Sequence, residues 1–177
     1  MAFKSIFRRS RPTDAARALY GSLATQARSP RFFTEFEVPD TLDGRFEMVA
    51  LHAFLVLRRL KRSGDKASDL AQELFDVMFE DMDTTLREMG VGDMGVGKRV
   101  KTMVKAFYGR VAAYESGMAT GTAGLAEALR RNAYVTAAPS EAAVLSLAGY
   151  VEAQAAHLAG LPSERIAAGE VSFLEAA

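Results

Sequence analysis

Residues 74–110, LFDVMFEDMDTTLREMGVGDMGVGKRVKTMVKAFYGR, contain a helix pattern, a glycine-rich bend and a second helix pattern in direct succession. Before the bend, apolar side chains recur every three or four residues, which predicts an amphipathic helix over 67–89. The stretch from Gly90 to Gly97 holds four glycines, each costing a helix about 1 kcal/mol relative to alanine, so it predicts a structured loop. The spacing then resumes and predicts a helix over 98–116.

The rest of the chain repeats the helical pattern. Thr13 or Asp14 can begin a first helix that runs to about residue 28, and a short aromatic turn around 32–36 follows. The stretch 40–62 has the widest apolar stripe and predicts the central, most buried helix. Further helices are expected over 122–134 and 140–159, with a last turn after residue 161.

These elements predict an all-α protein: a single globular helical bundle of about six or seven helices with short connections. We assign residues 12–168 to one all-α domain. Residues 1–11 should form a flexible basic N-terminal tail, and residues 169–177 a loose C-terminal tail.

Composition excludes several classes of protein. The 177 residues contain 22 Lys+Arg and 22 Asp+Glu, and a zero net charge argues against wholesale coating of nucleic acid. Without cysteine, disulfides and thiolate metal sites are excluded. The start lacks the apolar core of a signal peptide, and the apolar stretch 48–57 is too short to span a bilayer. We therefore expect a cytoplasmic protein, peripheral at the membrane if the tail MAFKSIFRRSR lies on it.

One motif resembles a phosphate-binding loop and fails its contextual tests. Gly92, Gly97 and Lys98 have the required spacing, but Arg99 stands where the motif needs Ser or Thr to hold magnesium. A helix rather than a strand precedes it. We predict no nucleotide and no other cofactor.

The helix 67–89 carries carboxylates at helical spacing opposite its apolar face, which predicts one acidic ridge: Asp69, Glu73, Asp76, Glu80 and Asp83. Such a ridge suits a partner of opposite charge. A metal-dependent enzyme is the alternative, but no Glu-x-x-His pair accompanies the ridge, so no metal ligand is predicted. His52 and His157 lie alone on apolar helices, and we expect packed or surface histidines rather than catalytic bases.

The next helix carries a basic stripe beside two aromatic residues. Its cations are Lys98, Arg99, Lys101, Lys105 and Arg110, and the aromatic residues are Phe107 and Tyr108. Cations near a helix N-terminus oppose the helix dipole, which favours a functional role for the first three. Acidic protein, RNA phosphate and anionic lipid are all compatible partners. Methionines 78, 82, 89 and 94 either fill the core or form an adaptable apolar surface.

Several of these runs in this order resemble the ubiquinol–cytochrome c chaperone family. The runs are LFDVMFEDMD (74–83), LREMGVGD (86–93), VGKRVK (96–101) and FYGR (107–110), supported by LY (19–20) and residues 46–60. The resemblance is good over about residues 12–116 and implies no catalytic residue. It implies a partner-binding surface formed by Asp76, Glu80, Asp83, Gly92, Asp93, Lys98, Lys101, Phe107, Tyr108 and Arg110.

The resemblance also implies a function. It predicts a non-enzymatic assembly factor that binds newly made cytochrome b, or an assembly intermediate of it, and supports biogenesis of the cytochrome bc1 complex. Contacts with the inner membrane and the ribosome are further implied partners, and no small-molecule substrate is expected. The alternative that the residues leave open is a nucleic-acid-binding module or general helical adaptor that uses the basic stripe over 98–105.

Overall fold

Helices form all of the regular secondary structure in a computed structural model of the chain, which describes residues 13–64 and 67–175. These residues contain no strand, which confirms the all-α prediction. Six long helices and two short ones follow in order: α1 (Asp14–Ala27), α2 (Arg31–Thr34), α3 (Leu42–Lys61), α4 (Ser68–Glu88), α5 (Asp93–Ala119), α6 (Thr122–Ala133), α7 (Glu141–Gly160) and α8 (Ser163–Ala167). The basic tail predicted over 1–11, with its proposed membrane contact, lies outside the described residues.

Hydroxyl caps fix where three of the long helices begin. The side chain of Thr13 accepts a hydrogen bond from the backbone N–H of Ala16 at 3.3 Å. Thr41 and Ser140 accept equivalent bonds at the starts of α3 and α7. Each cap satisfies a backbone donor that the first helical turn leaves unpaired. The helix starts predicted from these hydroxyl residues are therefore confirmed.

Helix α3 is the centre of the bundle. It packs against α1, α4, α5, α6 and α7, and its side chains are buried along most of its length. His52 is fully buried there, where Nδ1 donates to the Met48 carbonyl at 2.7 Å and Nε2 accepts from the Tyr150 hydroxyl at 2.8 Å. Burial disfavours the charged imidazolium and lowers the pKa of His52 to about 4. His52 is thus a packed histidine with satisfied ring nitrogens, as predicted.

Glycines bring α5 and α6 close together. A Cβ atom added to Gly117 would lie 2.9 Å from the carbonyl oxygen of Gly124 and 2.9 Å from the Cα of Leu125. The helix backbones therefore meet at a distance that only glycine permits at this position. None of the described helices combines the length and the apolar composition needed to cross a bilayer.

The segment after α8 differs from the loose tail that the sequence predicts. The backbone N–H of Leu174 donates a hydrogen bond to the side-chain oxygen of Gln154 at 3.0 Å. The backbone carbonyl of Leu174 accepts hydrogen bonds from the side-chain amides of Gln154 at 2.7 Å and of Gln26 at 2.9 Å. The Phe173 ring lies 5.4 Å from the His52 ring. Leu174 lies outside any helix, and the side chains of Gln26 and Gln154 bond its backbone N–H and carbonyl groups in place of helical partners. The chain up to Leu174 is therefore held against α1 and α7. Residues 176–177 lie outside the described part of the chain.

Candidate partner-docking site

The bend between α4 and α5 is shorter than the glycine content predicts. Gly90 has a φ of 82°, Val91 donates to the Leu86 carbonyl at 3.1 Å, and Gly90 donates to Arg87 at 2.9 Å. This pattern is a Schellman motif, the usual end of a helix at a left-handed glycine. Helix α5 already begins at Asp93, so the predicted start at residue 98 is wrong.

Two features allow Gly95 and Gly97 to lie inside α5. The negative charge of Asp93 lies in the first turn, where the positive end of the helix dipole stabilises it. The side chain of Val96 is fully buried. Burial of one side chain offsets part of the conformational cost of two glycines. Lys98 and Arg99 consequently lie beyond the first turn, where the dipole opposes them little.

An arginine neutralises part of the predicted acidic surface. Arg87 donates to Asp83 at 2.6 Å and also pairs with Asp93, which joins the end of α4 to the start of α5. Two predicted contact residues thus already have a cationic partner inside the chain. Gly92, between them, is exposed and precedes the first residue of α5.

The remaining carboxylates of α4 do not form one uniform ridge. Glu73 accepts two hydrogen bonds from Thr13, which ties it to the start of α1. Asp76 is partly buried and accepts from Gln72 at 2.9 Å, and burial raises its pKa, with the neighbouring carboxylates as smaller causes. Glu80 is exposed. Of the three α4 carboxylates predicted as contact residues, Asp76 and Glu80 therefore remain without an ion pair to another described residue.

The two adjacent aromatic residues of α5 have opposite environments. Phe107 is 1% exposed, and its ring lies 5.9 Å from Phe75 and 6.2 Å from Phe79. Tyr108 is 57% exposed, with its ring 5.5 Å from Phe75. Phe107 joins α5 to α4 and cannot reach a partner, so its prediction as a contact residue is corrected to a core role. Tyr108 remains available.

Arg110 is also corrected from a contact residue to an internal one. Its guanidinium pairs through two nitrogens with both carboxylate oxygens of Glu47 on α3, and Glu47 is 4% exposed. Burial raises the pKa of Glu47, and Arg110 only partly counteracts that shift. A buried carboxylate without this partner would be costly, so Arg110 is committed to the fold.

The other cations of the basic stripe are exposed. Lys98, Arg99, Lys101 and Lys105 form no ion pair with another described residue. Lys98 and Arg99 line a groove, which we call the cationic groove, whereas Lys101 and Lys105 do not.

The cationic groove has a volume of about 990 Å³ and is open to solvent on one side. Its walls come from the end of α1, the first half of α3, the second half of α4 and the first half of α5. The apolar lining consists of Ala27, Leu42, Phe46, Val49, Met82, Leu86 and Met103, and the charged lining of Arg28, Asp43, Arg45, Asp81, Lys98 and Arg99. A smaller hollow of about 270 Å³ adjoins it and shares Phe46 and Met103.

Of the groove residues, Lys98 was predicted as part of the contact surface and Arg99 as part of the basic stripe, whereas Met82 was left open between core and surface. Arg28, at the end of α1, carries no periodic signal that would associate it with α5. Met82 belongs to the apolar stripe of α4 and is 9% exposed, so the sequence could not distinguish it from an ordinary core residue. Met78 is fully buried, whereas Met89 and Met94 are 56% and 93% exposed. The four methionines therefore divide between core and surface.

Metal-binding geometry is not found within residues 13–64 and 67–175, where no three His, Asp or Glu side chains converge. His157 contacts the carbonyl of Ser172 at 3.0 Å and so lies against the C-terminal segment.

Comparison with known proteins gives one consistent result. The family model described as ubiquinol–cytochrome C chaperone matches residues 34–173. The chain is 28% identical over 160 residues to ubiquinol–cytochrome c reductase complex assembly factor 1 of Mus musculus, which covers 90% of this chain and 54% of that protein. The values for the Homo sapiens protein are the same. The chain spans about half the length of these curated relatives.

A solved structure is similar over nearly the whole chain. The crystal structure of the Cbp3 homolog from Brucella abortus superimposes with a TM-score of 0.81 at 39% sequence identity. The match covers 92% of this chain and 90% of that one. The likeness therefore extends through α6 and α7, beyond the part of the chain that carries the sequence motifs.

Proposed function

Because the chain belongs to the ubiquinol–cytochrome c chaperone family, we propose that it is a non-enzymatic assembly factor of the cytochrome bc1 complex that binds newly made cytochrome b. The family match over residues 34–173 is the observation that carries this proposal. The curated relatives are named as assembly factors of ubiquinol–cytochrome c reductase, which supports the same role here. In this proposal the protein works in the cytoplasm, peripheral at the membrane and near the ribosome.

The groove supports a binding role for a protein surface. An open depression lined by both apolar and charged side chains can cover an exposed apolar face of a client until that face reaches its place in the complex. An incompletely assembled membrane protein exposes such faces. The proposal therefore assigns the groove to transient protection of a folding partner.

Deletion of the gene tests the proposal directly. We expect the amounts of cytochrome b and of the bc1 complex to fall severalfold, with the cytochrome b transcript unchanged, and a plasmid copy to restore both. Difference spectra of the membranes and native gels measure these amounts, and another respiratory complex serves as the internal control. Normal bc1 levels in the deletion strain would refute the proposal.

A second candidate is a nucleic-acid-binding module. It is favoured by the exposed cations Lys98, Arg99, Lys101 and Lys105, which pair with no carboxylate among the described residues. It predicts retention on RNA or DNA at low salt and a steep loss of binding as salt rises. Absence of retention at low salt would eliminate it.

A further inference from the structure

We propose that the cationic groove binds an acidic amphipathic helix of the protein that the chain assists. This inference rests on the proposed function and specifies the chemistry of the partner segment. Its apolar side would contact the floor of the groove, and its carboxylates would meet Arg28, Lys98 and Arg99.

The charges of the groove favour an anionic partner. Arg28, Lys98 and Arg99 are exposed and make no ion pair with any residue in the described part of the chain. Of the two carboxylates in the lining, Asp81 accepts a hydrogen bond from the Tyr20 hydroxyl at 2.6 Å, and Asp43 lies in the first turn of α3, where the helix dipole stabilises it. The cations therefore remain available to an outside group, whereas the carboxylates already have favourable surroundings.

The shape of the lining favours a helix. Helices α3, α4 and α5 contribute the larger apolar side chains of the lining, among them Phe46, Met82 and Met103, and exposed cations belong to the same lining. A helix that carries both an apolar face and acidic residues matches this combination of surfaces, as in other helix-in-groove complexes. Methionine side chains adapt to different apolar shapes, which suits a temporary partner.

The first half of α5 is also less buried by the described part of the chain than the second half is. Between Asp93 and Ala106 only Val96 is buried, and Val100, Met103 and Val104 are half-buried. A docked helix would cover part of this apolar surface. RNA would use the cations but leave the apolar floor exposed, so the observations favour protein.

Photo-crosslinking identifies the occupant. A photoreactive amino acid at position 103, inside the groove, is compared with the same amino acid at position 145, where Leu145 is 43% exposed on α7. The full chain is expressed in its own cells, and the crosslinked peptide is sequenced. We expect position 103 to capture a helix-forming segment with Asp or Glu three or four residues apart, and position 145 not to capture it. A basic segment, nucleic acid, lipid, a second copy of this chain, or no product would overturn the inference.

Charge reversal tests the electrostatic part. Lys98→Glu with Arg99→Glu should lower the crosslink yield at least about tenfold, since like charges would face each other across the groove. Arg17→Glu with Arg131→Glu changes the net charge equally at exposed positions outside the groove and should leave the yield unchanged. Replacing the partner's acidic residues with lysine should restore the crosslink to the reversed groove. An undiminished yield after reversal, or no restoration, contradicts the proposal.

The same strains distinguish failure of this inference from failure of the proposed function. If deletion lowers the bc1 complex but the charge-reversed protein supports normal levels, the function stands and the groove assignment fails. If position 103 captures an acidic helix but deletion leaves the bc1 complex unchanged, the groove assignment stands and the proposed function fails.

Discussion

The two halves of α5 have the same backbone conformation but different surroundings. In the second half, Phe107, Tyr114 and Gly117 are buried, and Arg110 pairs with the buried Glu47. In the first half only Val96 is buried, and the exposed cations form no ion pair within residues 13–64 and 67–175. One half is fixed by its neighbours α3, α4 and α6, and the other forms a wall of an open groove.

This difference separates two roles along one helix. Substitutions in the second half should change folding stability, because they remove contacts that the chain makes with itself. Substitutions of the exposed and half-buried residues in the first half should change partner binding and alter stability much less. Matched substitutions in the two halves therefore test whether the division is real.

The largest difference should come from Phe107→Ala compared with Met103→Ala. Removing the buried phenyl ring leaves a cavity beside Phe75 and Phe79 and should lower the free energy of unfolding by about 4 kcal/mol. Met103 is half-buried, and its truncation should cost about 1 kcal/mol. Urea unfolding followed by circular dichroism measures both values. Equal losses for the two variants would contradict the division.

The next difference should come from Arg110→Met compared with Lys98→Met. Loss of Arg110 leaves the Glu47 carboxylate buried without its cation and should cost about 3 kcal/mol at pH 7. Lys98 is exposed and has no ion pair in the part of the chain that the structure describes, so its substitution should cost less than about 0.5 kcal/mol. Urea unfolding at pH 7 gives both values, and a similar cost for the two would show that the ion pair is not structural.

The pH dependence of the Arg110→Met variant provides a second measurement. The pKa of Glu47 in the folded protein lies above its value near 4.5 in the unfolded chain. At a pH between these two pKa values, the folded protein therefore holds a proton on Glu47 that the unfolded chain has lost. The penalty is therefore complete above the folded pKa and disappears as the pH falls to about 4.5. Adding Glu47→Gln to Arg110→Met should recover part of the stability at pH 7. A pH-independent loss would refute the explanation.

The smallest difference should come from Gly117→Ala compared with Gly97→Ala, both in α5. Gly117→Ala places a Cβ atom 2.9 Å from the backbone of α6 and should cost about 1–2 kcal/mol even though alanine favours the helix. Gly97 has no atom within 4 Å of an added Cβ, so Gly97→Ala should gain up to about 1 kcal/mol. Thermal and urea unfolding should show a lower free energy of unfolding for Gly117→Ala and a higher one for Gly97→Ala. A gain at both positions would mean that α5 and α6 are not in close contact.

The sequence predicted the long helices well because they carry apolar side chains at helical spacing, and three of them begin at a hydroxyl cap. It misplaced the start of α5 because local glycine content argued for a loop, whereas burial of Val96 and the Arg87–Asp93 pair extend the helix. The candidate site was predicted less well. Phe107 and Arg110 have the same residue types as neighbouring surface groups, and nothing in their spacing marked them as internal.

Periodicity and composition by themselves determined the all-α class, the central position of α3 and the apolar face of α4, because these depend on residues within one helix. Only the tertiary structure decided that Tyr108 and Lys98 are exposed whereas Phe107 and Arg110 are not. It alone brought Arg28 to the same groove as Lys98. The physical reason is that burial and pairing are properties of neighbours far away in the chain, such as Glu47 for Arg110, and no local pattern encodes them.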